Sequence, residues 1–129
     1  MRFILFLALI AGSTAANAQM LPSGTWTGTW GEGRAARPAT AEIERCDTGF
    51  RVVLTTGGRT ARTETATWQR GRLRFTTDRA RLPGMSAARA LACDLTAAAD
   101  GRLAGTCTAG SSRHRIALAP PASGAFGCD

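Results

Sequence analysis

Four cysteines, one histidine preceded by a pair of serines, and two carboxylates on alternate positions are the groups in this chain whose types and spacing could do chemistry. The cysteines are Cys46, Cys93, Cys107 and Cys128. None falls in a Cys-x-x-Cys pair, and one imidazole, His114, is too few for a His₃ or Cys₂His₂ zinc site. Disulfides are therefore expected, and no metal. All 16 basic residues are arginine, and the chain has no lysine and no tyrosine. That removes Schiff-base chemistry and the phosphate-cradling P-loop, and no cofactor is expected. His114 shares strand parity with Ile116 and Leu118, so it should point inward near one end of the fold. Ser111 and Ser112 precede it, but no third group emerges to orient the imidazole, and a non-enzymatic protein is expected. Glu42 and Glu44 fall on the solvent face of a strand. There Glu44 sits opposite Arg51, and cross-strand charge pairing is the simpler reading than acid–base catalysis.

Strands must position these groups. Apolar and polar residues alternate with period two along most of the chain, punctuated by Gly and Asp at turn spacing. Eight strands are predicted: Thr25–Gly31, Thr40–Cys46, Phe50–Thr56, Thr60–Gln69, Arg72–Thr77, Arg89–Ala97, Arg102–Thr108 and Arg113–Ala119. Arg70-Gly71 is a two-residue hairpin signal that places Trp68 opposite Leu73 and Ala66 opposite Phe75. Ala99-Asp100-Gly101 suits a three-residue loop ending in a left-handed glycine, and it brings Cys93 opposite Cys107 within bridging distance. Cys46 and Cys128 remain. Both fall where even-numbered strands end, so the second expected bridge is Cys46–Cys128. The stretch Leu82–Leu91 alone has helical composition, and Pro83-Gly84 limits it to one short turn.

The N-terminus reads as an address. Met1-Arg2, the apolar run 3–10 and the small-x-small triplet Ala16-Asn17-Ala18 form a cleavable signal peptide over 1–18. The apolar run is too short to span a bilayer. Of 129 residues about 111 are left, enough for one domain, 19–119, followed by a tail, 120–129. A periplasmic or secreted protein is expected, not embedded in a membrane. The formal net charge of +7 falls to +6 without Arg2. Ala-, Arg- and Gly-rich composition is what G+C-rich codons give, and the arginines are scattered singly with no aromatic interleaving. A polyanion surface is the weaker reading, and nucleic acid is not expected as a partner.

Sequential hairpins with one apolar face and no long return connection predict an all-β, eight-stranded antiparallel up-and-down barrel. An outer-membrane barrel fails because its outward face would carry Arg72, Arg74, Arg113 and Arg115. One end should be closed by tight turns and the stapled tail, with Trp26, Phe50, Trp68 and Leu73 inside it. The other should be rich in loops, with Trp30, Ala41, Leu54, Phe75, Leu91 and His114 at its mouth. Gly28, between Trp26 and Trp30 on one face, is expected to leave space between the two rings.

Gly24-Thr25-Trp26 resembles the Gly-x-Trp that opens lipocalins, and it is also similar to the avidin opening. The loop polarity and a disulfide-held tail are similar to lipocalins too. The resemblance implies a binding barrel, here for a small apolar or amphipathic ligand at the mouth residues just named. Size, export and disulfide use also resemble small periplasmic barrels that inhibit proteases or lysozymes. That implies the alternative, an inhibitor or accessory protein whose loops, or N-terminal segment 19–23, contact a protein partner. A filled interior would favour this alternative, and an open apolar cavity the carrier.

Overall fold

The computed structural model describes residues 21–47 and 49–122. The expected signal peptide, Thr48 and Cys128 with the end of the tail lie outside the described residues. Eight strands follow in chain order: β1 (Gly24–Trp30), β2 (Arg37–Cys46), β3 (Gly49–Thr56), β4 (Arg59–Gln69), β5 (Arg72–Thr76), β6 (Ala92–Ala97), β7 (Leu103–Ala109) and β8 (Ser112–Ala119). Each pairs antiparallel with the next, and β8 returns to pair with β1, closing an up-and-down barrel. Helix among the described residues is confined to one 3-10 turn, Gly33–Ala35.

Turn chemistry sets the register. Arg70 (φ 53°) and Gly71 (φ 75°) are both left-handed, the pair of conformations whose twist matches a two-residue hairpin. They hold Trp68 opposite Leu73. Likewise Ile43 faces Val52, and Glu44 faces Arg51 and forms an ion pair with it. Cys93 lies opposite Cys107, and the two are bridged across a Cα–Cα distance of 4.0 Å. Both face inward and are buried, so the bridge is part of the core. Cys46 is also disulfide-bonded; its expected partner, Cys128, lies outside the described residues.

Two local departures have physical causes. Between Phe50↔Ala66 and Val52↔Thr63 the register shifts, with one extra residue on β4. The bulge leaves Glu64 and Thr65 consecutively exposed, and such an insertion locally disrupts pairing. The β4–β5 ladder accordingly runs from Gln69↔Arg72 to Thr67↔Arg74 and stops one step short of the expected Ala66–Phe75 pair. The sixth strand begins at Ala92 rather than Arg89, because Arg89 instead forms an isolated bridge with Ala80.

Inward residues of all eight strands make one core, from Trp26 and Ile43 to Leu95, Leu103 and Leu118. Phe50 and Trp68, expected inside, are half-buried and pack against that core from the tight end. Gly28 does not open a space between the two tryptophans. A Cβ there would meet the Ala117 carbonyl oxygen at 1.8 Å, so the place of its side chain is taken by the backbone of the neighbouring strand. Gly105 stands in the same relation to the Asp94 carbonyl, at 2.0 Å. A missing side chain permits the close approach of strands where the sheet bends around.

Candidate functional site

The loop-rich end gathers the β1–β2 connection, the Gly57-Gly58 turn, the Gly110-Ser111 turn and the long β5–β6 connection, residues 77–91. That last segment crosses the barrel mouth. Its base is fixed by Thr77: the amide donates to Leu91 O at 2.9 Å, and the hydroxyl accepts from Leu91 N at 3.1 Å. Asp78 ties it to β4, its amide donating to Arg62 O and its carboxylate accepting from Arg62 N. Further along, Met85 N donates to Leu82 O at 3.0 Å, closing a turn around Pro83-Gly84. Leu82 and Met85 are buried, Leu82 to 1 % exposure. These two side chains enter the core from the open end.

Three other elements hold this turn in place. From the end of β1, the Trp30 indole N–H donates to Pro83 O at 2.8 Å. From the β3–β4 turn, Gly57 lies against Pro83, so close that a Cβ there would sit 2.5 Å from Pro83 Cγ. From the start of β8, the His114 ring stacks on Trp30 at 5.1 Å between centroids and 16° between planes. A Cβ on Gly84 would lie 3.2 Å from the same imidazole.

Of the six residues expected at the mouth, the structure brings Trp30 and His114 into direct contact. Ala41 and Leu54 are cross-strand partners, with Ala41 also opposite Trp26, and together with Phe75 and Leu91 they belong to the same buried core as Trp30. His114 alone of the six is half-buried. Burial lowers its pKa below the ordinary histidine value. Ser112 Oγ donates to Ala109 O at 2.9 Å and lies 3.1 Å from His114 Nε2. A hydroxyl has one proton to give. With that proton on Ala109 O, the Ser112 oxygen is left to accept from His114 Nε2–H in the tautomer that carries a proton there.

The chain matches no family model, no curated protein and no solved structure. The closed eight-stranded meander is itself consistent with a calycin-like fold. Among the described residues no group of three His, Cys, Asp or Glu side chains is placed to hold a metal ion, and no helix is long and apolar enough to cross a membrane. Broad concavities of about 610, 500 and 420 Å³ lie on the outer wall. A cleft of about 70 Å³ separates the covering loop from the β7–β8 turn, lined by Met85, Arg89, Ser111 and Ser112.

Sequence reasoning put Trp30 and His114 at one end of the barrel but did not foresee what covers that end. Leu82, Pro83 and Met85 belong to this site, and alternation says nothing of them because they follow neither period. One signal was available. Two large apolar residues flanking Pro-Gly in a stretch otherwise made of Arg, Ala and Ser mark a loop packed on the core, since a solvated loop has no use for them.

Proposed function

We propose that this is an exported, non-enzymatic barrel that works by binding a partner protein at its loop-rich end, as an inhibitor or accessory of a secreted or periplasmic protease or lysozyme. The observation that carries this reading is the burial of Leu82 and Met85 beneath a loop that crosses the mouth. A partner meets the outside of that loop, and barrels of eight strands can be filled by their own side chains. The signal-like N-terminus and the Cys93–Cys107 bridge, the chemistry of an oxidising compartment, support export. The non-enzymatic reading is supported by the Ser112 proton being used on Ala109 O. Kinship with lipocalins or avidins rests on Gly24-Thr25-Trp26 and the shared strand plan, with Trp26 buried beside the tight end and its indole N–H donating to Pro22 O.

Carriage of a small apolar ligand, the other reading of the sequence, requires the 77–91 loop to lift and release the Trp30–Pro83 hydrogen bond. The two readings separate in a titration with N-phenyl-1-naphthylamine, a neutral apolar fluorophore. Partner binding at the closed mouth expects no saturable uptake. One-to-one saturable uptake, lost on Trp30→Ala, overturns it in favour of the carrier.

A further inference from the structure

The fold sorts the arginines. Seven of them stand on the loop-end connections or within two residues of a strand terminus there: Arg34 and Arg37 (β1–β2), Arg59 (start of β4), Arg79, Arg81 and Arg89 (β5–β6) and Arg113 (start of β8). Two carboxylates share that end, Glu32 and Asp78, and both are engaged. Glu32 pairs with Arg115 at 2.7 Å, and Asp78 accepts from the Arg62 amide. Among the described residues none of the seven guanidiniums is in an ion pair. The opposite end and the wall differ: there Arg51, Arg72, Arg74 and Arg102 each meet Glu44, Asp94 or Asp100.

Three of the seven are anchored. Arg79 donates to Ala88 O and Arg81 to Met85 O, both within the covering loop, and Arg89 lies over Gly110. They hold the plug in shape and face solvent. Strands are spaced about 4.8 Å apart, so eight of them tilted into a barrel make a mouth roughly 15 Å across. Seven like charges within such a circle lie about one Debye length apart at physiological salt, so their fields add rather than being screened singly. Self-repulsion on this scale costs stability, and an anionic partner relieves it.

We infer that this rim docks an acidic protein surface, with the arginine forks receiving carboxylates around a centre of small residues. The inference rests on the proposed function and names the chemistry of its partner. Arginine presents a planar donor pair that matches a carboxylate in a bidentate way. Between the arginines the loop exposes Gly84, Ser86, Ala87 and Ala88, which let another backbone come close. A bilayer surface is the poorer fit, because Leu82 and Met85 are buried and no large apolar side chain is exposed on the described part of this end to enter lipid. A nucleic acid is poorer still, because Trp30 and Phe75 are buried and offer no face for base stacking.

The test titrates the protein into fluorescein-labelled polyglutamate and, separately, into phosphatidylglycerol vesicles and single-stranded DNA. Two double variants carry the same net charge: Arg34→Glu with Arg37→Glu on the rim, and Arg45→Glu with Arg70→Glu at the opposite end. Binding to polyglutamate should fall at least tenfold for the rim pair and less than threefold for the other, and should weaken steeply with salt. Arg34→Gln with Arg37→Gln, which adds no negative charge, should fall between them and serves if a reversal variant fails to fold. Equal losses in the two reversal variants overturn the inference, because net charge alone then explains binding. So does tighter binding to vesicles or DNA, or no binding of the unaltered protein to polyglutamate. Saturable naphthylamine uptake would remove the proposed function instead, and these arms are read independently of it.

Discussion

The two ends of the barrel are built on opposite plans. At the tight end, turns of few residues join strands directly, and Trp26 is closed off by strand ends together with Leu21 and Pro22 just before β1. On that end and the wall, Arg51, Arg72, Arg74 and Arg102 meet carboxylates. At the loop-rich end four connections, against three at the tight end, leave an opening that strands do not cover, and a segment without regular structure covers it. That cover is held by one indole hydrogen bond, one stacked imidazole and a proline wedged on a glycine. The first end is completed by neighbouring strands and by residues next to them in sequence. The second is completed by residues distant in sequence, each of which can be removed singly.

The largest test of this contrast replaces each end's tryptophan. Trp26→Ala and Trp30→Ala should each cost about 3–5 kcal/mol, the usual range for emptying a buried aromatic site. They should differ in hydrogen exchange. Trp30→Ala should expose the Ala80 and Met85 amides, whose partners lie inside the covering loop, while Trp26→Ala leaves them protected. Equal protection in the two variants would break the comparison. Next, Cys93→Ala with Cys107→Ala should cost about 3 kcal/mol from the loop of 14-residue separation. Chemical denaturation of the wild type and the variant, both oxidised, measures it, and the covering loop should stay protected in the variant's folded state. Third, Gly57→Ala should cost about 2–3 kcal/mol, combining a left-handed φ of 59° with the Pro83 contact. Gly58→Ala, with φ of 73° and nothing within 4 Å, should cost about 1 kcal/mol. Indistinguishable melting temperatures for the two would show that the loop does not bear on that turn.

The smallest effect concerns His114. Burial lowers its folded pKa below the unfolded value of 6.5. The unfolded chain therefore takes up the proton first as pH falls. Stability is full above pH 6.5, declines below it and levels off once pH passes the folded pKa. Thermal melts of the wild type compared with His114→Asn across this window should show the wild type alone carrying that step. A step of equal size in the asparagine variant would assign it elsewhere.

The barrel was legible because its information is local. Arg70-Gly71 and Asp100-Gly101 fix hairpin registers, alternation orients the side chains, and Cys93 facing Cys107 follows from a turn seven residues from each. The β4 bulge was not legible, since Thr63-Glu64-Thr65-Ala66 reads equally well as unbroken alternation. The path of residues 77–91 was hidden for a different reason: Trp30 and Pro83 are distant in sequence, and no pattern along the chain announces their hydrogen bond. The basic rim was legible in principle. Arginines that are scattered singly along the chain converge because an up-and-down topology sends alternate turns to the same end. The cluster follows from assigning each arginine to its turn, and adjacency along the chain does not show it.

The seam between β1 and β8 sets the order in which the molecule can be made. Four residue pairs, Thr27↔Ala119 through Trp30↔Ile116, join opposite ends of the chain there. Every other ladder links consecutive strands and can zip as a hairpin, but this one waits for the last strand. Until β8 arrives, seven strands form an open sheet with two bare edges, the state most ready to pair with another copy of itself. Closure fixes nearly the whole chain into a ring, at an entropic cost of about 4 kcal/mol for some 90 residues. It does so where Gly28 leaves no room for any side chain. A substitution at Gly28 would therefore show itself first as aggregation during synthesis, in a chain whose seven earlier pairings are all intact.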